Sequence, residues 1–441
     1  MAGQARFLTE TFGGYRQAEP PPPDDALVRV GPGTPGGEYL RRFWHPVAQS
    51  AMLKDLPVAI RILGEDLVIF RDKRGRVGLL EAHCTHRGTS LEFGKIEERG
   101  IRCCDHGWQF DVDGAILDTP AEPEANPYKG KLYQGAYPTI ESWGLVFAYM
   151  GPPDKTPPFR KFDIFEKPGL EFGLGEPVGG NLKPCNWLQV MDNVADPVHE
   201  AFLHASISGI QFTDVNGRPV EELADKGEDD YWETEVGVLC HVARRIKDTV
   251  WVRSMEYVIP NIIQICKMPL LPPPFANGVD EIEMPQLLTR WRVPVDDENT
   301  VEFALVYYGA EDDRSYVNAP SVALATNRGG RTYEEAQRAP GDYDAQVSQG
   351  PIARHGREHL GRTDRGVALM RRIVREGIEA VARGEDPKGL FRNGAVAPVY
   401  AAEAVKRTPR GATPEADREV VRGVSHALYR RSLATRPRTW R

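Results

Sequence analysis

The chain has 441 residues and no apolar run near the roughly 18 that a membrane-spanning helix needs. Residues 1–19 lack the apolar core of a secretion signal, so neither export nor membrane insertion is expected. Cysteine is scarce: six are scattered along the chain, too few for a disulfide framework, and reduced thiols in a cytoplasm are the simplest expectation. Positive charge is not in excess. The formal net charge of -8 removes the electrostatic case for nucleic acid or an anionic membrane. A nucleotide-binding glycine loop is also missing. GPGTPGG at 31–37 contains the G-x-G-x-x-G string, but Pro32 and Pro35 remove backbone donors and no βαβ unit surrounds it. It reads as a loop capping a helix at 38–43. The 41% hydrophobic and 27% charged residues are ordinary for a soluble globular protein, and the length suggests two or three domains.

From Cys84 the chain reads CTHRGTSLEFGKIEERGIRCCDHGWQFD. It holds Cys84-x-His86 and Cys103-x-x-His106, separated by 16 residues. Two mixed Cys/His pairs are what a Rieske two-iron two-sulfur centre requires, thiolates on one iron and imidazoles on the other. A structural zinc site is the rival, although zinc spacings usually pair Cys with Cys and His with His. Gly88 and Gly107 suit loops that wrap a cluster with backbone close by. His45 and His83 lie near this region, and a packing or surface role is expected for them.

The stretch NWLQVMDNVADPVHEAFLH at 186–204 organises the rest. Asn193, Asp196 and His199 recur every third residue and would form a polar ridge on one helix face. His204 follows His199 by five, so both address one point only across a π-bulge or a break. Asp196-Pro197 also reads as an N-cap followed by proline at the first helical position, which would make two helices meeting there. Two imidazoles and a carboxylate from elsewhere would make the facial triad that holds iron(II) with open positions. Two ordinary helix histidines are the plainer alternative.

Short apolar runs at 58–80, separated by turn residues, predict an antiparallel meander, and strands are expected at 107–112 and 144–150. The organisation expected is an N-terminal arm at 1–40, a β domain at 41–155, a second domain at 156–395 beyond the PPDKTPP linker, and an Arg-rich extension at 396–441, solvated or clasping a neighbouring subunit. Strands at 232–246, 249–258, 261–268, 287–295 and 300–308 alternate as half-buried antiparallel strands do. Arg290 and Arg292 share a strand face; capture of a substrate carboxylate is one reading, outward-facing charge the expected one. Residues 311–341 look like an insertion that covers a site, and a strong helix is expected at 364–383 with Thr363 as its N-cap.

These motifs resemble the large subunit of the Rieske non-haem iron aromatic-ring oxygenases, in the branch of phthalate dioxygenase and the aryl O-demethylases. The resemblance covers about residues 28–394 and rests on VRVGPGTPGGEYLRRFWHPV, HRGTSLEFG, GIRCCDHGWQFD, CNWLQVMDNVADPVHEAFLH and VSQGPIARHGREHLGRTDRGVALMRR. It implies an α+β chain: an all-β Rieske iron-sulfur domain, then a helix-grip catalytic domain with a curved antiparallel sheet. It implies that Cys84, His86, Cys103 and His106 hold the cluster and that His199 and His204 hold a mononuclear Fe(II). Asp196 would be the catalytic carboxylate bridging the cluster of one subunit to the iron of the next. The third ligand falls in a D-x-x-x-Q-x-S-x-G-P-I pattern, on Asp342, with Asp344 the nearby competitor. Asp105 departs from the family, where an uncharged residue is usual, which puts the potential or docking surface in question but not the ligands.

The function implied is that of a cytoplasmic, trimeric terminal oxygenase component. It would take electrons from an NADH-dependent reductase, directly or through a ferredoxin, and insert oxygen from dioxygen into an aromatic carboxylate or methoxylated aromatic. O-demethylation or hydroxylation is the leading expectation, and ring cis-dihydroxylation on the same metal set the alternative. A pure electron carrier or a zinc-dependent hydrolase are remote rivals: a carrier would tolerate loss of His199, and a hydrolase would contain zinc without iron.

Overall fold

The computed structural model describes residues 6–123, 128–175, 180–214, 216–271, 273–308, 330–394 and 396–434. Ahead of the first sheet, Thr34 caps the helix Pro35–Leu40, its Oγ1 accepting from Gly37 N–H. This helix starts inside the glycine run rather than at 38. A Cβ on Gly37 would lie 2.2 Å from the Gly31 carbonyl, so close backbone packing explains this glycine.

The first unit is all β. The meander appears as Val58–Ile62, Glu65–Arg71 and Val77–Glu81. A second sheet joins Trp44–Gln49, Leu145–Tyr149 and Thr139–Ser142, and a third the short strands Lys95–Ile96, Ile101–Arg102, Gln109–Phe110 and Ile116–Asp118. The two Cys/His loops leave the ends of these strands over a small core that includes Phe70, Leu80, Trp108 and Phe110. His45 is buried, its Nε2 2.8 Å from the Leu40 carbonyl, whereas His83 is exposed.

The second unit is a ten-stranded antiparallel sheet. From one edge it runs Glu171–Leu174, Thr300–Tyr308, Gln286–Pro294, Ile262–Cys266, Thr249–Val258, Gly237–Ile246 and Glu228–Glu233. Asn181–Lys183 also pairs with Thr300–Tyr308. The strand expected at 232–246 is two strands joined at 234–236, where Gly237 N–H donates to Thr234. Period-two alternation continues through so tight a turn and does not reveal it.

The long strands are not half-exposed. Thr249–Val258 is buried throughout, because helices Trp187–Val194 and Arg365–Ala382 lie over one side of the sheet and Pro414–Ala434 over the other. The alternating polar residues therefore form a buried ionic network instead of a wet face. Helix Arg365–Ala382 follows Asp364, not Thr363; the Thr363 carbonyl accepts the Tyr231 hydroxyl instead.

Residues 403–434 are folded into this unit. Glu403–Arg407 pairs with Thr249–Val258 and with Glu281–Met284, and helix Pro414–Ala434 stacks Tyr429 on Trp232. A solvated tail does not describe them. Most of the insertion expected at 311–341 lies outside the described residues, and its end forms the helix Tyr333–Arg338. Among the described residues no helix is long and apolar enough to cross a membrane. The whole is α+β, with a helix lying across a large antiparallel sheet.

Candidate metal centres

In the first unit the loop at 84–89 closes on itself, with Cys84 N–H donating to the Thr89 carbonyl and Gly88 N–H to the Cys84 carbonyl. Gly88 and Gly107 take positive φ angles of 81° and 74°, which turn both loops back towards the same point. Cys84 and Cys103 are buried and in contact. Burial, with Cys103 beside it, pushes the Cys84 thiol up to about 12. Thiolates here need a compensating cation, which suits a metal centre. The His86 and His106 rings lie edge to face at 4.7 Å, and His86 stacks on Trp108 at 4.7 Å. His106 Nδ1 is buried without a hydrogen bond, and Asp105 Oδ2 lies 2.9 Å from it. The donor set thus fits a cluster, and Asp105 places a carboxylate beside it.

The second centre depends on a broken helix. Asn186 caps Trp187–Val194, accepting from Leu188 N–H, and the helix stops before Asp196-Pro197. Asp196 Oδ1 accepts from Val198 N–H and starts a single turn, His199–Ala201. The turn then widens over Phe202–Ser206, where Ile207 N–H reaches back five residues to the Phe202 carbonyl. Asn193, Asp196 and His199 therefore do not share one continuous helix face. The widened turn brings the His199 and His204 rings to 5.3 Å.

Asp342, first residue of the helix Asp342–Val347, meets both imidazoles: its Oδ1 lies 3.1 Å from His204 Nε2 and 3.5 Å from His199 Nε2. Asn193 Nδ2 donates to the same oxygen at 3.1 Å. The competitor Asp344 is turned away, accepting from Arg331 and from Gly341 N–H. On the far side of each ring, Nδ1–H is tied off, to the Asp196 carbonyl for His199 and to Gln211 Oε1 for His204 at 2.8 Å. Both Nε2 atoms thereby face Asp342, the orientation that metal-binding imidazoles require. Burial works against charge on His199, yet Asp342 more than offsets it and holds the ring at about 9. Asp342, despite burial, is held well below its usual range by the two rings. The three groups can hold a metal ion. A second gathering, Asp192, His355 and Glu358, is instead spanned by the Arg371 guanidinium, which donates to both carboxylates at 2.6–2.9 Å.

His199, His204 and Asp342 open on a cavity of about 90 Å³. Met255, Ile263, Ile265 and Leu288 line its apolar wall. Arg290 and Arg292 also line it, 8% and 3% exposed, so the expectation that they face outward is corrected. Alternation identified their common face, but not that a helix and a cavity cover that face. Gln211 gave no sequence signal at all.

Comparison with known proteins accords with this arrangement. The family description "Rieske [2Fe-2S] domain" matches residues 43–132. The oxygenase subunit of a tert-butanol monooxygenase / tert-amyl alcohol desaturase from Aquincola tertiaricarbonis is 41% identical, over 95% of this chain and 91% of its own. Phenoxybenzoate dioxygenase subunit alpha of Ectopseudomonas oleovorans is 40% identical, over 86% and 91%. The 5,5'-dehydrodivanillate O-demethylase oxygenase subunit of Sphingobium sp. is 32% identical, over 85% and 84%. The chain belongs to the Rieske non-haem iron oxygenases. Within them it is an oxygenase subunit of the branch that includes phthalate dioxygenase and the aryl O-demethylases.

Proposed function

We propose that this oxygenase subunit acts on an aromatic substrate that carries an anionic group, by O-demethylation or hydroxylation. The observation that carries the reading is the convergence of two imidazoles and a carboxylate on a largely apolar cavity whose lining also includes Arg290 and Arg292. Cys84, His86, Cys103 and His106 would hold the two-iron two-sulfur cluster, and His199, His204 and Asp342 the iron(II). When bound, the cluster supplies single electrons and the iron activates dioxygen.

The chain's own part is position, charge and dryness. The Asp196 carbonyl and Gln211 hold the imidazoles with Nε2 inward, and the apolar wall keeps water from the reacting region. Lys183 and Arg292 share Glu302, and Arg290 lies within electrostatic reach of the same carboxylate. Lys183, Arg290 and Arg292 face two carboxylates, Glu302 and Asp342, and the one cation in excess favours an anionic ligand in a low-dielectric cavity. Asp196, half-exposed at the helix break, would accept hydrogen bonds from the cluster imidazoles of a neighbouring copy. A homotrimer fits that role. A separate reductase, with or without a ferredoxin, would deliver electrons from NADH in the cytoplasm.

A small tertiary alcohol is the second reading, because Phe212 is the one phenyl ring among the described lining residues and the 41% relative carries that substrate in its name. A turnover screen of aromatic acids, methoxylated aromatics and tertiary alcohols with a surrogate reductase decides. Formaldehyde from a methoxylated aromatic acid is expected. A cis-diol as sole product reverses the choice to ring dihydroxylation.

A further inference from the structure

Four charges are buried together beneath the turn that carries His199. Arg253, on the strand Thr249–Val258, donates to both oxygens of Glu200, at 3.2 and 3.4 Å, and to Glu403 Oε2 at 2.8 Å. The other oxygen of Glu403 accepts the Trp251 indole N–H at 2.8 Å. Arg244 lies 5.1 Å over the Trp251 ring and within electrostatic reach of both carboxylates. All four charged residues are buried, and two cations balance two anions. Such a cluster is seldom the most stable way to fill a core, so its geometry calls for an explanation.

The explanation lies in the backbone around it. His199–Ala201 is a single regular turn, with a break before it at Asp196-Pro197 and a widened turn directly after it. Continuous helical hydrogen bonding does not set its rotation, so the turn needs a lateral anchor. Glu200, adjacent to His199, provides one: the planar Arg253 fork grips its carboxylate through two bonds and fixes its orientation against the sheet. Arg253 is itself held on its other side by Glu403, from the strand Glu403–Arg407.

We propose that Glu403, acting through Arg253 and Glu200, is a positioning residue for His199, so that the C-terminal strand supplies the far anchor of the mononuclear metal site. The proposal rests on His199 being a ligand there. The test uses the full-length, iron-loaded protein and reads acid-labile sulfide, iron retained against a chelator, and the electron paramagnetic resonance signal of the nitric oxide-treated iron(II) site. Glu403→Gln is expected to keep its sulfide, to lose mononuclear iron roughly tenfold more readily, and to change the symmetry of that signal. Trp251→Phe removes the bond that orients Glu403 while keeping every charge, and is expected to give a smaller change of the same kind. If Glu403→Gln does not fold, Trp251→Phe decides. A folded variant with wild-type iron retention and signal overturns the proposal. His199→Ala separates the two readings: if it keeps the mononuclear iron, the ligand assignment fails, whereas its loss beside an unaltered Glu403→Gln refutes only the role of Glu403.

Discussion

His204 Nδ1 lies 2.8 Å from Gln211 Oε1, and the Gln211 amide donates onward to the Pro340 carbonyl, two residues ahead of Asp342. One side chain thus selects the His204 tautomer and ties it to the segment that brings the carboxylate. Gln211→Leu removes the acceptor but keeps the bulk. Iron affinity is expected to fall roughly 10- to 100-fold, as for other partners of metal-bound imidazoles. Iron per chain after dialysis against a graded chelator measures it, and wild-type retention would show that the tautomer is set elsewhere.

Glu302 is one pH-sensitive element of the sheet. It is fully buried, accepts from Arg292 Nε at 2.9 Å, and lies 3.3 Å from Lys183 Nζ. Burial would raise its pKa, but Lys183, Arg292 and Arg290 outweigh burial and hold it at about 2 instead of 4.5. A carboxyl depressed in the folded state stabilises the fold above its unfolded pKa, and the contribution is lost as pH falls through the folded value. Stability should therefore drop between pH 4.5 and about 2, by on the order of 3 kcal/mol from this group. Denaturant midpoints measured down that range check the sign; a flat profile would contradict it.

What was readable in the sequence and what was not divide along chain distance. Cys84 with His86, Cys103 with His106, and the two turn glycines are local, and their spacing alone points to a cluster. The five-residue step from His199 to His204 likewise implies a distorted helix, and the turn at 202–206 is wide. Asp342 could be reached only through resemblance, because 138 residues separate it from His204. Arg253 and Glu403, 150 residues apart, meet because the C-terminal strand joins the sheet. Burial of alternate polar residues is equally non-local: the strand pattern is the same whether water or a helix covers the second face.

Arg290 should discriminate among substrates. A charged hydrogen bond to a carboxylate in a cavity that is 8% exposed at the guanidinium residue contributes roughly 1.5–3 kcal/mol. Arg290→Gln is expected to raise KM for aromatic carboxylates about 10- to 100-fold and to leave uncharged methoxylated aromatics or tertiary alcohols within a few-fold. Equal losses for charged and uncharged substrates would mean that Arg290 shapes the cavity without recognising charge.

Asp105 should depress the potential of the neighbouring cluster. Its carboxylate lies 2.9 Å from His106 Nδ1 and accepts from the Thr89 hydroxyl at 3.2 Å, so the loop itself keeps it at the cluster's edge. Reduction adds negative charge, and a fixed anion beside the cluster opposes that addition. Solvent weakens the effect, because the Asp105 side chain is 43% exposed. Asp105→Asn keeps the shape and the acceptor while removing the charge. Its potential is expected to rise by on the order of tens of millivolts, read by a redox titration of the visible absorbance of the oxidised and reduced cluster. Because the charge is partly solvated, the shift should shrink as ionic strength increases. An unchanged potential at low salt would mean that the carboxylate turns away from the cluster when the metal is bound. A downward shift would mean that the Thr89–Asp105 contact matters through loop geometry instead.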